Sequence, residues 1–371
     1  MNVSDFEFDL PVELIAQDAA PRGTSRLLAL DRASGSRRHL SIADLPSILR
    51  AGDLLVVNNT RVFAARLLGR RFPSGGAVEC LLLGSPPEKS DPGGEPASLR
   101  IADPASRIPE ASRIYDALMH PGQKLKPGSL VRFEGPAGVL TAEVLARHFQ
   151  GRRTIRLSAE PGNDVDTLID ALGHVPLPPY IKRADTLADR ERYQTVFARV
   201  RGSVAAPTAG LHFNAELLAA LDRAGVERAE VTLHVGYGTF KPVRVQQLED
   251  HVVDPEPYEI SDGTAAAIAR ARSERRRVIA VGTTTTRALE DATRRGGGEV
   301  IAGRGIATVF IYPGHQFRAI DGLLTNFHLP ASSLLMLVAA FGGREAVLDA
   351  YREAVAERYR FYSYGDAMLV L

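Results

Sequence analysis

The 371-residue chain has one cysteine, Cys80. That excludes an intrachain disulfide and, with no second thiol, argues against a structural zinc site or a Cys-x-x-Cys redox pair. Cys80 stands in the apolar run Val78-Glu79-Cys80-Leu81-Leu82-Leu83 and is expected to be a small buried hydrophobe. No apolar stretch reaches the ~20 residues of a membrane helix, and the best candidate, 334–341, is far too short. Met1-Asn2-Val3-Ser4-Asp5 does not read as a signal peptide, so a cytoplasmic protein without membrane contact is expected. The formal net charge is only +1, so any nucleic-acid binding must come from local patches. Lysine is scarce: Lys89, Lys124, Lys126, Lys182 and Lys241 are the only ones among 45 basic residues. The arginine excess reads first as genome composition and only second as phosphate recognition. A Ser-His-Asp order, a His-Glu-x-x-His pair, a Walker loop and a carboxylate-rich cation site are all missing, which removes support for triphosphate and metal chemistry.

With 45% hydrophobic and 24% charged residues, the chain has the composition of a globular protein of two domains. Short apolar runs at 26–30, 53–57, 64–68 and 78–83 read as strands, with a capped short helix over 41–49. From Thr60 to Ser158 no helical pattern stands out, while 130–133, 139–145 and 154–157 alternate as strands. The stretch from Ser85 to Pro96 is dense in Pro, Gly and charge and is expected to be a mobile, dispensable loop. From Asp164 the pattern becomes α/β: helices over 215–224, 264–276, 286–294, 332–341 and 345–358, strands over 230–235, 278–281, 308–312 and 367–371. The expected fold is therefore an α/β core domain (1–60 and 159–371) with an inserted all-β, barrel-like domain (61–158).

Four glycine-punctuated or extended segments sit where open α/β sheets place ligands. Pro207-Thr208-Ala209-Gly210-Leu211-His212-Phe213 precedes a helix, and its free amides could face a carboxylate or phosphate, although a capped helix start explains it equally well. In Thr232-Leu233-His234-Val235-Gly236-Tyr237-Gly238-Thr239-Phe240-Lys241-Pro242 a strand runs into Gly-x-Gly without the third glycine of a dinucleotide fingerprint; His234 is either catalytic or a satisfied core histidine. Gly282-Thr283-Thr284-Thr285-Thr286-Arg287 offers hydroxyls and a guanidinium to a ribose and a carboxylate, or is an ordinary capped helix. Leu324-Thr325-Asn326-Phe327-His328-Leu329-Pro330 puts Asn326 and His328 on one face, suited to a base, with Phe327 opposite. These residues alone point to an α/β enzyme for a nucleoside-like ligand.

Read together, the first, second and fourth segments resemble the S-adenosylmethionine:tRNA ribosyltransferase-isomerase family of queuosine biosynthesis. The resemblance includes Phe6-Asp9-Leu10-Pro11 with Ile15-Ala16-Gln17, Asn59-Thr60-Arg61-Val62, Pro176-Leu177-Pro178-Pro179-Tyr180-Ile181, Arg192-Tyr193-Gln194-Thr195 and Tyr362-Ser363-Tyr364-Gly365-Asp366-Ala367-Met368. It covers nearly the whole chain in one order. It implies an α/β core with an inserted barrel, no metal and no permanently bound cofactor. It also implies transfer and isomerisation of the ribose of S-adenosylmethionine onto 7-aminomethyl-7-deazaguanine at the tRNA wobble position, with release of adenine and methionine to leave epoxyqueuosine. The family's Asn-Asp-Thr-Arg is Asn58-Asn59-Thr60-Arg61 here, and its His-x-Met-His-Ser-Glu is His251-Val252-Val253-Asp254-Pro255-Glu256. A Lys or Arg of the family is Ala331.

From the chemistry, His212 or His234 is the expected base at the acidified C5′, and His328 the donor to departing adenine. Thr208, Thr283 and Arg287 are expected to fix hydroxyls and the methionine carboxylate. Thr284, Asn326, Phe327 and the backbones of Gly210, Gly236, Gly238 and Thr239 complete the expected substrate site, with Arg61 and Gln194 beside it. An unstacked anticodon base is expected against Tyr180, Arg183 and Tyr193, while Lys124, Lys126 and Arg132 either contact tRNA phosphates or form a solvated face, the second reading weighing at least as much. A monomer is expected. Two other readings are a non-catalytic tRNA-binding paralogue, which would release no adenine, and an enzyme acting on a small S-adenosylmethionine or nucleoside substrate, which would need no tRNA.

Overall fold

Every side chain of Leu27-Leu28-Ala29-Leu30 and of Leu54-Leu55-Val56-Val57 is buried, as strands covered on both faces require. The computed structural model describes residues 1–84 and 112–371; the Pro/Gly-rich stretch beginning at Ser85 lies outside them. The chain forms β1 (Arg26–Leu30), β2 (Arg37–Ser41), α1 (Leu45–Ile48), β3 (Leu54–Asn58) and β4 (Thr60–Val62). Next come β5 (Arg66–Phe72), β6 (Ala77–Gly84), β7 (Ser112–His120), β8 (Leu130–Gly135), β9 (Gly138–Arg147), β10 (Arg152–Ala159) and α2 (Val165–Leu172). There follow α3 (Leu187–Arg192), β11 (Val200–Ser203), α4 (Ala215–Arg223), β12 (Glu227–Leu233), β13 (Glu256–Ile260), α5 (Asp262–Ser273) and β14 (Val278–Val281). The last elements are α6 (Thr283–Arg295), β15 (Gly303–Ala307), β16 (Gly322–Asn326), α7 (Ser333–Gly342), α8 (Arg344–Ala356) and β17 (Ala367–Val370).

Nine of the described strands make one mixed sheet, in the order β15-β13-β12-β3-β14-β16-β17-β1-β2. Its centre is parallel: β3 pairs with β12 and β14, and β14 with β16, all in one direction. The period of two sorts the core. Leu54, Val56, Val278 and Ala280 join the layer that contains Ile268, Leu289 and Leu335, whereas Leu55, Val57, Ile279 and Val281 join the layer with Leu45, Leu217 and Leu221. Helices thus cover both faces.

Strands β10-β7-β6-β5-β8-β9 close on themselves as an antiparallel barrel. Along β6, Val78, Cys80 and Leu82 point inward while Glu79 is exposed. Burial pushes the Cys80 thiol up to about 12, so it behaves as a hydrophobe. Met1–Val62 with Leu177–Leu371 form one compact unit and Phe63–Pro176 the other. The stretch 159–176, placed in the α/β core by the sequence reading, clusters with the barrel because α2 packs on β8, β9 and β10. A second difference concerns 308–312: the strand there is β15, which ends at Ala307 and pairs with β13, and the chain then leaves the sheet edge with Ile311 buried. Burial at a core edge copied the apolar signature of a strand. Among the described residues no helix is long and apolar enough to cross a membrane.

Candidate active site

The carboxyl ends of β3, β12, β14 and β16 share one edge of the sheet, and the loops leaving that edge build a cleft. Ala206, Pro207 and Thr208 come from the segment after β11, Thr239 and Phe240 from the one after β12, Gly282, Thr283 and Thr284 from the start of α6, Thr325, Asn326 and His328 from the end of β16, and Tyr362 and Ser363 from the approach to β17. The cleft is shallow and open to solvent. Gly282 has φ 93°, a conformation that suits glycine and turns β14 directly into α6. Thr285 and Thr286 bond back to Val281 O at 2.7 Å and Gly282 O at 3.2 Å, while the buried Thr284 Oγ1 has no protein partner among the described residues. The first turn of α6 therefore faces the cleft with free amides and a free hydroxyl.

A second cleft of about 550 Å³ adjoins the first through Thr239 and Leu334. Gly238, Lys241, His251, Asp254, Glu256, Arg287 and Phe310 line it. Arg287 Nη1 donates to Glu256 Oε2 at 2.5 Å, and its other nitrogens reach Val309 O at 3.3 Å and Ala307 O at 3.1 Å. Burial pushes the Glu256 carboxyl up, against the pull of Arg287 and of the Gly236 N–H, which it accepts at 2.9 Å. Lys241 Nζ donates to Asp254 at 2.6 Å. Gly238 lies so close to Asp254 that a Cβ there would come within 2.6 Å of it.

Only one of the three expected histidines, His328, lines the cleft. Its Nε2 lies 2.9 Å from Thr325 Oγ1, and burial lowers its pKa to about 3. The ring enters neutral and carries no spare proton for departing adenine. His212 is buried in the turn before α4, its Nδ1 2.8 Å from Ser25 Oγ; burial and then Arg192 and Arg360 lower it to about 4. His234 packs on Gly202, with Nδ1 2.9 Å from Thr60 Oγ1, and burial lowers its pKa as well. All three rings are neutral at pH 7.

Several expected contacts are instead held inside the fold. The Arg183 fork grips Asp189 at 2.7 and 2.9 Å, with Asp18 at 3.0 Å. Gln194 clamps Val62 through both its side-chain atoms, and Gly210 leaves only 2.8 Å to Thr195 for a Cβ. Tyr193 is fully buried, and Phe327 packs among Tyr351, Tyr359 and Phe361 at 5.1–5.4 Å. Tyr180 rests on Tyr362, ring centroids 3.7 Å apart, and its hydroxyl bonds Ser363, while Arg61 is exposed on β4. In the barrel Lys124 and Lys126 are exposed and Arg132 pairs with Glu134 at 3.2 Å. Sequence reasoning gave no role to Phe240, Thr325, Leu334 or Ser363 in the first cleft, nor to Lys241 or Phe310 in the second; only the conjunction of strand ends exposes them.

The family described as "Queuosine biosynthesis protein" matches residues 3–370. The S-adenosylmethionine:tRNA ribosyltransferase-isomerase of Heliobacterium modesticaldum is 47% identical over 100% of both chains. The chain belongs to this family. The ribosyltransferase-isomerase of Anaeromyxobacter sp. (strain Fw109-5) is 48% identical over 100% of the chain and 99% of its own length. A solved relative, the S-adenosylmethionine tRNA ribosyltransferase of Thermotoga maritima, is 34% identical with a TM-score of 0.52, covering 99% of this chain and 100% of its own. Against the ribosyltransferase-isomerase pattern two of the three departures have clear surroundings. Asn59 donates to Glu230 at 3.0 Å and accepts from Thr232 at 2.7 Å, a bridge between β3 and β12 that needs an amide. Asp254 stands where the family places a second histidine and is held by Lys241.

Proposed function

We propose that the chain transfers and isomerises the ribosyl group of S-adenosylmethionine onto 7-aminomethyl-7-deazaguanine at the wobble position of tRNA, leaving epoxyqueuosine and releasing adenine and methionine. The observation that carries this reading is full-length identity of 47–48% to ribosyltransferase-isomerases, in a chain whose strand ends build a cleft open to solvent. We read the barrel as an insertion into the α/β core, and the protein as cytoplasmic, monomeric and without a permanently bound cofactor.

In the first cleft the amides of Thr283 and Thr284 and the Thr284 hydroxyl bind an oxygen-rich group, the ribose hydroxyls or the methionine carboxylate. Thr208, Thr239 and Asn326 hold the nucleoside. His328, neutral and bonded to Thr325, is the imidazole best placed to accept a proton or hydrogen bond from the sugar. Ser363, backed by the Tyr180 hydroxyl, is a further hydroxyl donor in the cleft. The second cleft, with Phe310 and His251 on one wall, receives the planar modified base where it can meet the ribose beside Thr239.

Adenine release from S-adenosylmethionine, measured with and without tRNA bearing the modified base, tests the reading together with mass analysis of the digested tRNA. Release that depends on that tRNA, with epoxyqueuosine in the digest, is expected. Binding of tRNA without adenine release would make the chain a non-catalytic paralogue, and release without tRNA would make it a small-molecule enzyme.

A further inference from the structure

Beyond the clefts, an arginine cluster has more positive charge than its surroundings cancel. Arg22 and Arg192 each bond backbone carbonyls of the stretch next to the other: Arg22 Nη2 donates to Gln194 O at 2.5 Å and Glu191 O at 3.1 Å, and Arg192 donates to Ala20 O and also to Leu211 O at 3.4 Å. Arg22 Nη1 is buried with no partner, and among the described residues neither guanidinium meets a carboxylate within ion-pair distance. Arg360 joins them. Its one carboxylate neighbour, Asp366, lies 4.0 Å away and is itself bonded to the backbone N–H groups of Arg26 at 3.0 Å and Arg360 at 2.8 Å. Asp189, on the same helix α3 as Arg192, is taken by the Arg183 fork and the Tyr364 hydroxyl.

The charges sense one another. Burial and then Arg192 hold Arg22 below its ordinary value, and Arg360 acts on Arg192 in the same direction. Three half-buried guanidiniums with one carboxylate at 4.0 Å between them are costly unless a further anion completes them. We propose that Arg22, Arg192 and Arg360 seat a phosphodiester of the RNA strand that brings the modified base to the cleft. The proposal rests on the tRNA reading above. None of the three lines either cleft. They lie behind it: Arg192 donates to Leu211 O, in the same short turn, Thr208–His212, that supplies Thr208 and Ala209 to the cleft wall. A base extruded into the cleft would carry its flanking phosphates to this place. A lone carboxylate is satisfied by one fork, whereas neighbouring phosphates use several.

The test measures tRNA affinity and steady-state adenine release for the full chain from about 50 to 200 mM salt. Parent, Arg22→Gln, Arg192→Gln and Arg22→Lys are compared, with Arg270→Gln on the exposed side of α5 as control. The parent's tRNA-dependent adenine release is established first, so a failure of the tRNA reading is seen separately, and it would remove this proposal too. Each Gln variant is expected to weaken tRNA about tenfold and to reduce the salt slope by about 1, with the KM for S-adenosylmethionine within about twofold. Arg22→Lys should keep the slope and recover part of the affinity. An active parent with unchanged tRNA affinity and slope in both Gln variants would overturn the proposal. A rise confined to the KM for S-adenosylmethionine would make this a carboxylate seat, and equal loss in Arg22→Lys and Arg22→Gln with lowered Tm would make it purely structural; either result overturns it.

Discussion

The Nε2 atom of His328 lies 2.9 Å from the hydroxyl of Thr325, one turn of chain earlier on the same cleft wall. The pair fixes the imidazole's tilt while burial keeps it neutral. His328→Gln is expected to lower kcat by at least about tenfold, or ~1.4 kcal/mol of barrier. Thr325→Val should cost less and act through the same step. Single-turnover adenine release measures both, and an His328→Gln rate within twofold of the parent would remove this residue from the chemistry.

Acid stability follows from the same burial. The pKa values of His212 and His328 fall to about 4 and about 3 in the folded chain, against about 6.5 when unfolded. Lowered values mean that below about pH 6.5 the unfolded chain takes up protons that the folded rings refuse. Stability should therefore drop as the pH falls, by up to ~1.4 kcal/mol per pH unit for each ring, until the folded rings themselves charge. Urea midpoints at pH 7 and pH 5 should show the drop, and a smaller one in His328→Gln.

Thr284→Val separates binding from folding. The hydroxyl it removes is buried with no partner, so an apolar isostere should leave stability within about 0.5 kcal/mol or raise it. The KM for S-adenosylmethionine is expected to rise several-fold, and a thermal melt beside a substrate titration would show the two moving apart.

Restoring the family's usual residue at Asn59 should harm this chain. Asn59→Asp would set a carboxylate against Glu230, at a distance that is 3.0 Å for the present amide. Arg199, which also pairs with Glu230, offsets part of the repulsion. A loss of ~1–2 kcal/mol near pH 8, smaller near pH 5, is expected in denaturant unfolding.

Breaking the Arg287–Glu256 pair should be more costly. Arg287→Met leaves a buried carboxylate without its partner, and a loss of ~3–5 kcal/mol is expected from the urea midpoint. Arg287→Met with Glu256→Gln should recover much of it, whereas equal loss in the double variant would mean that the packing, not the charge, matters.

Strand runs were readable where burial is two-sided or alternation is clean: 278–281 coincides with β14, and the Cys80 run lies within β6. Where a short strand pairs over a long sequence distance, as β4 does with β11, the local pattern is too brief to show it. The cleft was legible in part. Thr283, Asn326 and His328 announce themselves by standing after a strand, but Ser363 does not, because its place comes from β17 running back beside β16. Arg183, expected against a base, is tied to Asp189 six residues further on, a pairing that residue types alone do not announce.

The pairing of β17 between β16 and β1 also bears on synthesis. The barrel's strands pair only with one another and lie within Phe63–Pro176, so the ribosome can release them to fold early. The sheet cannot do the same. Its strand β1, made long before β17, waits with an unpaired edge until Ala367–Val370 emerges. Nascent chains of this protein therefore carry an open, apolar strand until Ala367–Val370 emerges, and chaperone dependence should end at that point rather than fade gradually.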